Sequence, residues 1–263
     1  MIHQEVDGIP YYSFEVLARH DEIINAVFTR LGGVSRPPFA ELNVGHLVGD
    51  ELAAVETNHR LIHQTLGLSS KEIATAHQVH GNGVVMVGPD DGGKAVPATD
   101  ALITGTPGAN LMLRFADCLP IFLYDPGRRA IGLAHAGWRG TAAKVVQRMV
   151  LMMVEGLGSD PTKIIAGLGP AIGPCCYEIG LDVAELLRAS LRNSEKVLHR
   201  LEGNTFRFNL WEANRQQLVE AGIREIEISH VCTACHTDEF FSHRAERGRT
   251  GRFAAVMGIR KQK

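Results

Sequence analysis

The stretch LMLRFADCLPIFLYDPGRRAIGLAHAGWRG, residues 111–140, decides how the chain is to be read. It holds three short apolar runs, Leu111 to Phe115, Ile121 to Tyr124 and Ile131 to Ala134. The last two are parted by Asp125-Pro126-Gly127. Short apolar runs bounded by turn residues read as buried strands. Working backward, Ile73 to Ala76, Gly83 to Val87 and Ala101 to Thr104 have the same character, and Gly81-Asn82-Gly83 and Asp90-Asp91-Gly92-Gly93 punctuate them. Asp50 to Leu66 carries apolar residues at helical spacing and stops at Gly67. Working forward, Thr141 to Leu157 reads as a long helix after Gly140, followed by a strand at Ile164 to Leu168. Helices near Leu181–Leu191 and Asn209–Ala221 and strands Ile226 to Val231 and Arg252 to Ile259 complete the pattern. A strand-rich first half followed by strand–helix alternation predicts an α/β fold, a three-layer α/β/α sandwich with a central mixed sheet. No internal repeat or long linker divides residues 1–263, so one domain is expected. Strand order is not written in such a pattern.

Composition narrows the function. The chain has 263 residues, 45% hydrophobic and 21% charged, with 27 Lys+Arg against 29 Asp+Glu. That balance gives no basis for a nucleic-acid partner. The N-terminal residues carry Glu5 and Asp7 and no apolar run behind a basic segment. The run Met149 to Val154 falls far short of the roughly 18 residues a membrane span needs. A soluble, cytoplasmic protein with no membrane contact is the expectation. Five cysteines, at 118, 175, 176, 232 and 235, form an odd set that argues for thiols over a disulfide framework.

Three predicted strand ends each offer a soft or borderline ligand: His77 and His80 beside Gly81, Cys118 beside Pro120, and His135 ahead of Gly137 and Gly140. One thiolate and two imidazoles suit zinc, and three protein ligands would leave a fourth position for water or substrate. The same residues also fit a thiolate–imidazolium nucleophilic pair of Cys118 with His135, or a core cysteine with no chemistry. Spacing alone leaves these alternatives open.

The motifs His77-Gln78-Val79-His80-Gly81, Ala116-Asp117-Cys118-Leu119-Pro120, Ala134-His135-Ala136-Gly137-Trp138-Arg139-Gly140 and Gly169-Pro170-Ala171-Ile172-Gly173-Pro174 resemble the YfiH-type family. Thr29-Arg30-Leu31-Gly32-Gly33, Leu42-Asn43-Val44-Gly45 and Phe240-Phe241-Ser242-His243-Arg244 extend the resemblance over nearly the whole chain. Members were formerly called polyphenol oxidoreductase laccases and are described as zinc-dependent purine nucleoside phosphorylases. The resemblance implies a metal site of His80, Cys118 and His135, with His77 a neighbour, and a single α/β/α domain. It implies purine nucleosides (adenosine, inosine, guanosine and S-methyl-5′-thioadenosine) and phosphate as partners, with adenosine deamination as a second activity. Copper in place of zinc, with phenol oxidation, and a Cys118–His135 amide hydrolase acting on peptidoglycan precursors are the competing activities. Whether the chain forms a homodimer stays open.

Physical roles can be assigned beside that likeness. Phosphorolysis needs a phosphate held against a ribose C1′ of oxocarbenium character, and Arg30 and Arg139, each beside glycine-rich turns, are the candidate phosphate binders. Asp117 is expected to act as a base or, in preference, to orient a histidine N–H. Asn43 and Gln78 are candidates to hydrogen-bond base or ribose, with a plain turn role the alternative for Asn43. Arg244, Arg247, Arg249 and Arg252 form a basic patch, interrupted by Glu246, that reads first as a solvated loop. Gly167 to Gly173 fails the dinucleotide fingerprint and reads as a rigid pocket wall. Cys232-Thr233-Ala234-Cys235 has ligand-like spacing, but no second pair stands at finger distance, so no structural zinc is expected there.

Overall fold

A computed structural model, which describes residues 1–261, pairs the apolar runs into three sheets. The first has the order β1 (Ile2–Val6), β2 (Ile9–Ser13), β3 (Ile23–Phe28), β16 (Phe253–Ile259), β8 (Asn110–Phe115), β4 (Ile73–Ala76), β6 (Ala95–Val96). The second runs β15 (Glu225–Ile228), β11 (Ile165–Leu168), β9 (Leu119–Asp125), β10 (Ala130–Ala136), β7 (Ala101–Thr104), β5 (Val84–Met86). A small third sheet joins β12 (Glu178–Gly180), β14 (Thr205–Phe208) and β13 (Leu198–Arg200). Both large sheets are mixed. In the first, β4 lies parallel to β8 while β8 is antiparallel to β16. In the second, β11 and β15 are parallel and β9 and β10 antiparallel.

Alternate residues on each strand separate the two faces of its sheet. Leu111, Leu113 and Phe115 of β8 pack with Phe122 and Tyr124 of β9 and Ile131 and Leu133 of β10, so the two large sheets meet face to face. The outward face of the second sheet, including Ile121, Leu123 and Ala134, is covered by α4 (Val145–Leu157) and α6 (Leu210–Glu220) through Val146, Met149, Met153, Leu210 and Leu218. The outward face of the first sheet, with Met112 and Val256, packs Ile62 of α2 (Leu52–Thr65). The chain forms the mixed α/β sandwich expected from the sequence, but the single central sheet of the expected three layers is two sheets packed face to face, so the layers number four. Each aliphatic or aromatic side chain fully buried in the two central layers is worth about 1.5–3 kcal/mol against exposure.

The helix expected over 141–157 is two helices, α3 (Trp138–Ala142) and α4, broken where Lys144 takes φ of 61°. The break is held by tertiary bonds. Asn214 and Gln217 of α6 donate to the hydroxyl and carbonyl of Thr141, at 3.0 and 2.8 Å, so the end of α3 is anchored to α6 instead of continuing. Among the described residues no helix is long and apolar enough to cross a membrane.

Candidate active site

The chain crosses from the first large sheet to the second between β4 and β5 and again between β8 and β9. His80 lies on the first crossing and Cys118 on the second. His135, on β10, points with Ile131 and Leu133 toward the space between the sheets, where its ring meets Phe115 at 5.5 Å. The ligand atoms of His80, Cys118 and His135 all lie within 4.8 Å of one another. The two imidazole rings stand edge to face, 4.9 Å apart.

One carboxylate sets up both histidines. Asp100, fully buried, accepts from the backbone N–H of Val79, His80 and Gly81 at 3.2, 2.9 and 2.7 Å and meets His135 Nδ1 at 2.9 Å. The first three bonds hold the turn in which His80 has a φ of 60°. The fourth holds a proton of His135 on Nδ1, so Nε2 is the ring nitrogen turned toward a ligand. A further requirement falls on Gly137, where a Cβ would stand 2.9 Å from Cys118 Sγ. Only a residue without a side chain lets that backbone pass so close to the thiol.

Charges within the group are strongly coupled. Burial pushes the Cys118 thiol up, but the charge and hydrogen bonds of His135 and the hydrogen bond of His80 outweigh it and bring it down to about 6. Burial pulls His135 down, yet the Cys118 charge and the Asp100 bond carry it up to about 9. The Asp100 carboxyl is desolvated but ends below the usual range because His135 and the Gly81 N–H stabilise its anion. A thiolate and two imidazoles converging at one point fit a thiophilic divalent ion with three protein ligands.

These residues open onto a cavity of about 940 Å3. Arg139, Arg244 and Arg252 face it, together with Tyr177 and His77. Arg139 stacks on Trp138 at 4.5 Å, and its guanidinium has no hydrogen bond or ion pair among the described residues. Arg244 lies over the Tyr177 ring at 5.5 Å and donates to the carbonyl of Glu178. Burial, with the Cys118 charge second, holds the Tyr177 hydroxyl far above its ordinary range, so it is a neutral donor. Across the cavity the His46 and His59 rings lie 4.8 Å apart, tilted by 36°, with His63 beyond at 6.0 Å from His59.

Several expected roles are corrected. Asp117 does not orient a histidine: its carboxylate accepts from the Thr233 hydroxyl and the Arg244 N–H, both at 2.7 Å. Asp100 has that role. Arg30 is not at the cavity, because it donates to the carbonyls of Ala40 and Thr237 and pairs with Glu246 while lying over Phe241. Asn43 is buried and accepts from the Gly45 and Arg252 N–H groups, the turn role. Gln78 lines the cavity, but its amide is engaged by both main-chain groups of Arg114. In the basic patch Arg244 and Arg252 face the cavity and so are more than a solvated loop. Cys232 and Cys235 do have a second pair, since Cys175 and Cys176 come within 4.8 Å of them.

The family model described as multi-copper polyphenol oxidoreductase laccase matches residues 24–260. A purine nucleoside phosphorylase, YlmD, of Geobacillus stearothermophilus is 39% identical over 89% of this chain and 89% of its own. A purine nucleoside phosphorylase of Deinococcus radiodurans is 40% identical over 89% of this chain and 88% of its own. The crystal structure of a hypothetical protein YfiH of Bacillus licheniformis superimposes with a TM-score of 0.92 at 36% identity, covering 98% of this chain and 99% of that one.

Proposed function

Because the chain belongs to the YfiH-type family, whose model is described as multi-copper polyphenol oxidoreductase laccase, we propose that it is a metal-dependent purine nucleoside phosphorylase with one catalytic domain. Its substrates in this reading are adenosine, inosine, guanosine and S-methyl-5′-thioadenosine with phosphate, and adenosine deamination is its second activity. The observation that carries the reading is the convergence of His80, Cys118 and His135 at a large cavity faced by Arg139, whose guanidinium has no partner among the described residues. His80, Cys118 and His135 would hold the ion, zinc by the chemistry of the donors, with copper the other ion they accept. When bound, such an ion supplies Lewis acidity beside the reacting atoms.

The chain's own residues account for the rest. Phosphorolysis breaks the bond between ribose C1′ and the purine nitrogen and forms one from C1′ to a phosphate oxygen. Arg139, free at the cavity wall, binds the phosphate, and Arg244 and Arg252 add positive charge nearby. Arg139 held against Trp138 loses little freedom on binding. The neutral Tyr177 hydroxyl donates to an acceptor of the nucleoside, and Trp138, Ile172 and Leu210 offer apolar wall to the base. His77, which also lines the cavity, is placed to relay the proton that the departing purine needs.

A second reading rests on Asp100, His135 and Cys118, which form an acid–imidazole–thiol series with a thiol brought down to about 6. That series supports a Cys118 nucleophile acting on an amide. The discriminating experiment incubates metal-quantified protein with adenosine or inosine, with and without phosphate, and separates free base and ribose-1-phosphate. Base release that requires phosphate and disappears in Cys118→Ala and His80→Ala agrees with the phosphorylase. Turnover retained in Cys118→Ala overturns it, and covalent trapping of Cys118 by an amide substrate analogue in metal-stripped protein favours the second reading.

A further inference from the structure

We propose that Cys175, Cys176, Cys232 and Cys235 form a second metal site, one that holds a single zinc-like ion and braces the cavity wall. The four sulfurs all lie within 4.8 Å of one another. Cys235 Sγ is 3.6 Å from Cys175 Sγ and 3.4 Å from Cys176 Sγ. Zn–S bonds of about 2.3 Å in a tetrahedron place neighbouring sulfurs about 3.8 Å apart, close to these separations. Four protein thiolates fill the coordination sphere, which is the mark of a structural site as opposed to a catalytic one. None of the four cysteines lines the large cavity.

The two cysteine-bearing turns are built to meet. Cys175 and Cys176 follow β11, and Cys232 and Cys235 follow β15, its parallel neighbour. An isolated bridge joins Ala171 to Cys232, with Ala171 N–H donating to Val231 O and Thr233 N–H donating to Ala171 O. Between them Gly173 is confined, since a Cβ there would stand 3.1 Å from Cys232 Cβ and 3.2 Å from Cys175 Sγ. Its N–H donates to Cys232 Sγ at 3.2 Å, a bond that favours the sulfur as thiolate. The Cys235 and His236 N–H groups both donate to Cys232 O at 3.1 Å, closing the turn so that the Cys232 and Cys235 sulfurs share a side. Arg207 donates to the carbonyls of Pro174 and Cys175, which puts a positive charge beside four thiolates whose sum exceeds that of one divalent ion.

Disulfides would have to sort these four sulfurs into pairs, with Cys175 and Cys176 both against Cys235. One ion engages all four. Its effect on the rest of the molecule follows from what the turns carry. Ile172 and Tyr177 flank the first pair, and Thr233, beside Cys232, binds Asp117, which also holds the N–H of Arg244. Tyr177 and Arg244 face the cavity, so the ion ties two walls of it together.

The test is metal content per chain by elemental mass spectrometry, on protein purified with reductant and no added metal, for the parent, Cys235→Ser and Cys118→Ser. Cys235→Ser is expected to hold one ion fewer than the parent, and Cys118→Ser to keep the ion that Cys235→Ser loses. The same count would stand if the nucleoside reading failed, because Cys118 belongs only to the other site. Equal metal content in parent and Cys235→Ser overturns the proposal, as does peptide mapping that finds Cys235 linked to Cys175 or Cys176 in the unreduced native protein. Should Cys235→Ser not fold, cobalt substitution of the parent decides: a four-thiolate spectrum supports the site, and a spectrum of the two-histidine, one-thiolate class alone sinks it.

Discussion

Asp100→Asn is the perturbation that tests most directly how the His80, Cys118 and His135 group is assembled. Asp100 Oδ1 takes the His80 N–H and faces His135 Nδ1, while Oδ2 takes the N–H groups of Val79 and Gly81. An asparagine keeps the shape but makes one of those oxygens an NH2. If the NH2 takes the Oδ2 side it confronts two N–H donors, and the turn that presents His80 loses two bonds. If it takes the Oδ1 side it confronts the His80 N–H and donates to His135 Nδ1, which moves the ring proton to Nε2 and removes the lone pair a ligand needs. Each buried donor left without a partner costs about 1–3 kcal/mol, so the fold should lose roughly 2–6 kcal/mol in the first orientation and about 1–3 kcal/mol in the second. Loss of such an orienting partner lowers metal affinity 10–100-fold in general, or about 1.4–2.7 kcal/mol. Competition of the metal-loaded protein with a chelator of known affinity, alongside urea unfolding of the stripped protein, reads both quantities. A dissociation constant within about twofold of the parent would refute the assignment of Asp100 as the positioning residue.

Alkylation of Cys118 in metal-stripped protein should rise through pH 6, well below an ordinary thiol, because the thiolate persists down to that pH; a midpoint near 9, with Cys118→Ser as blank, contradicts the pairing with His135. Burial, helped by the charge of His46, holds His59 at about 4 against an ordinary 6.5. The native state therefore binds fewer protons than the unfolded chain between those values, so stability is full above pH 6.5 and is lost as pH falls toward 4, by up to roughly 3 kcal/mol. Urea midpoints at pH 7 and 4.5 should differ for the parent and less for His59→Gln, and an undiminished difference in the variant rules the group out. Arg30→Ala should cost about 2–4 kcal/mol of stability, through its carbonyl bonds, its Glu246 pair and Phe241, with the KM for phosphate unchanged. Arg139→Ala should raise that KM at least about tenfold with the melting temperature unchanged, and the reverse pattern would exchange their roles.

The strands from Ile73 to Ala136 other than the two-residue β6 are legible because each is a short apolar run between turn residues. The doubling of the β layer was not, since a strand buried on both faces reads the same whether a helix or another sheet covers it. β3 is obscured by Asn25, a polar residue inside an apolar run whose Oδ1 takes the Phe14 N–H. The residues of the site stood out by their motifs, yet only folding shows that His80, Cys118 and His135 share one point. Asp100 carries one signal in the sequence, an acidic residue directly before a strand whose first three residues are apolar, and the structure buries that strand entirely. Arg30 misled because a glycine-rich turn beside an arginine looks the same whether the guanidinium meets a ligand or the protein's own carbonyls. Cys176 and Cys235 are 59 positions apart, beyond any spacing rule, and only the parallel pairing of β11 with β15 sets their turns side by side.

His80 and Cys118 sit on the steps between the two large sheets, whereas His135 belongs to a strand of the second sheet. Seating the sheets on one another and bringing the three side chains together are therefore one adjustment, and a slip of either sheet would pull the triangle out of true. Retention of an ion by these three residues would then work as a vernier for the packing between sheets. A change in the intervening layer, such as Phe122→Leu at a fully buried position, should register as faster loss of metal although it leaves all three donor residues in place.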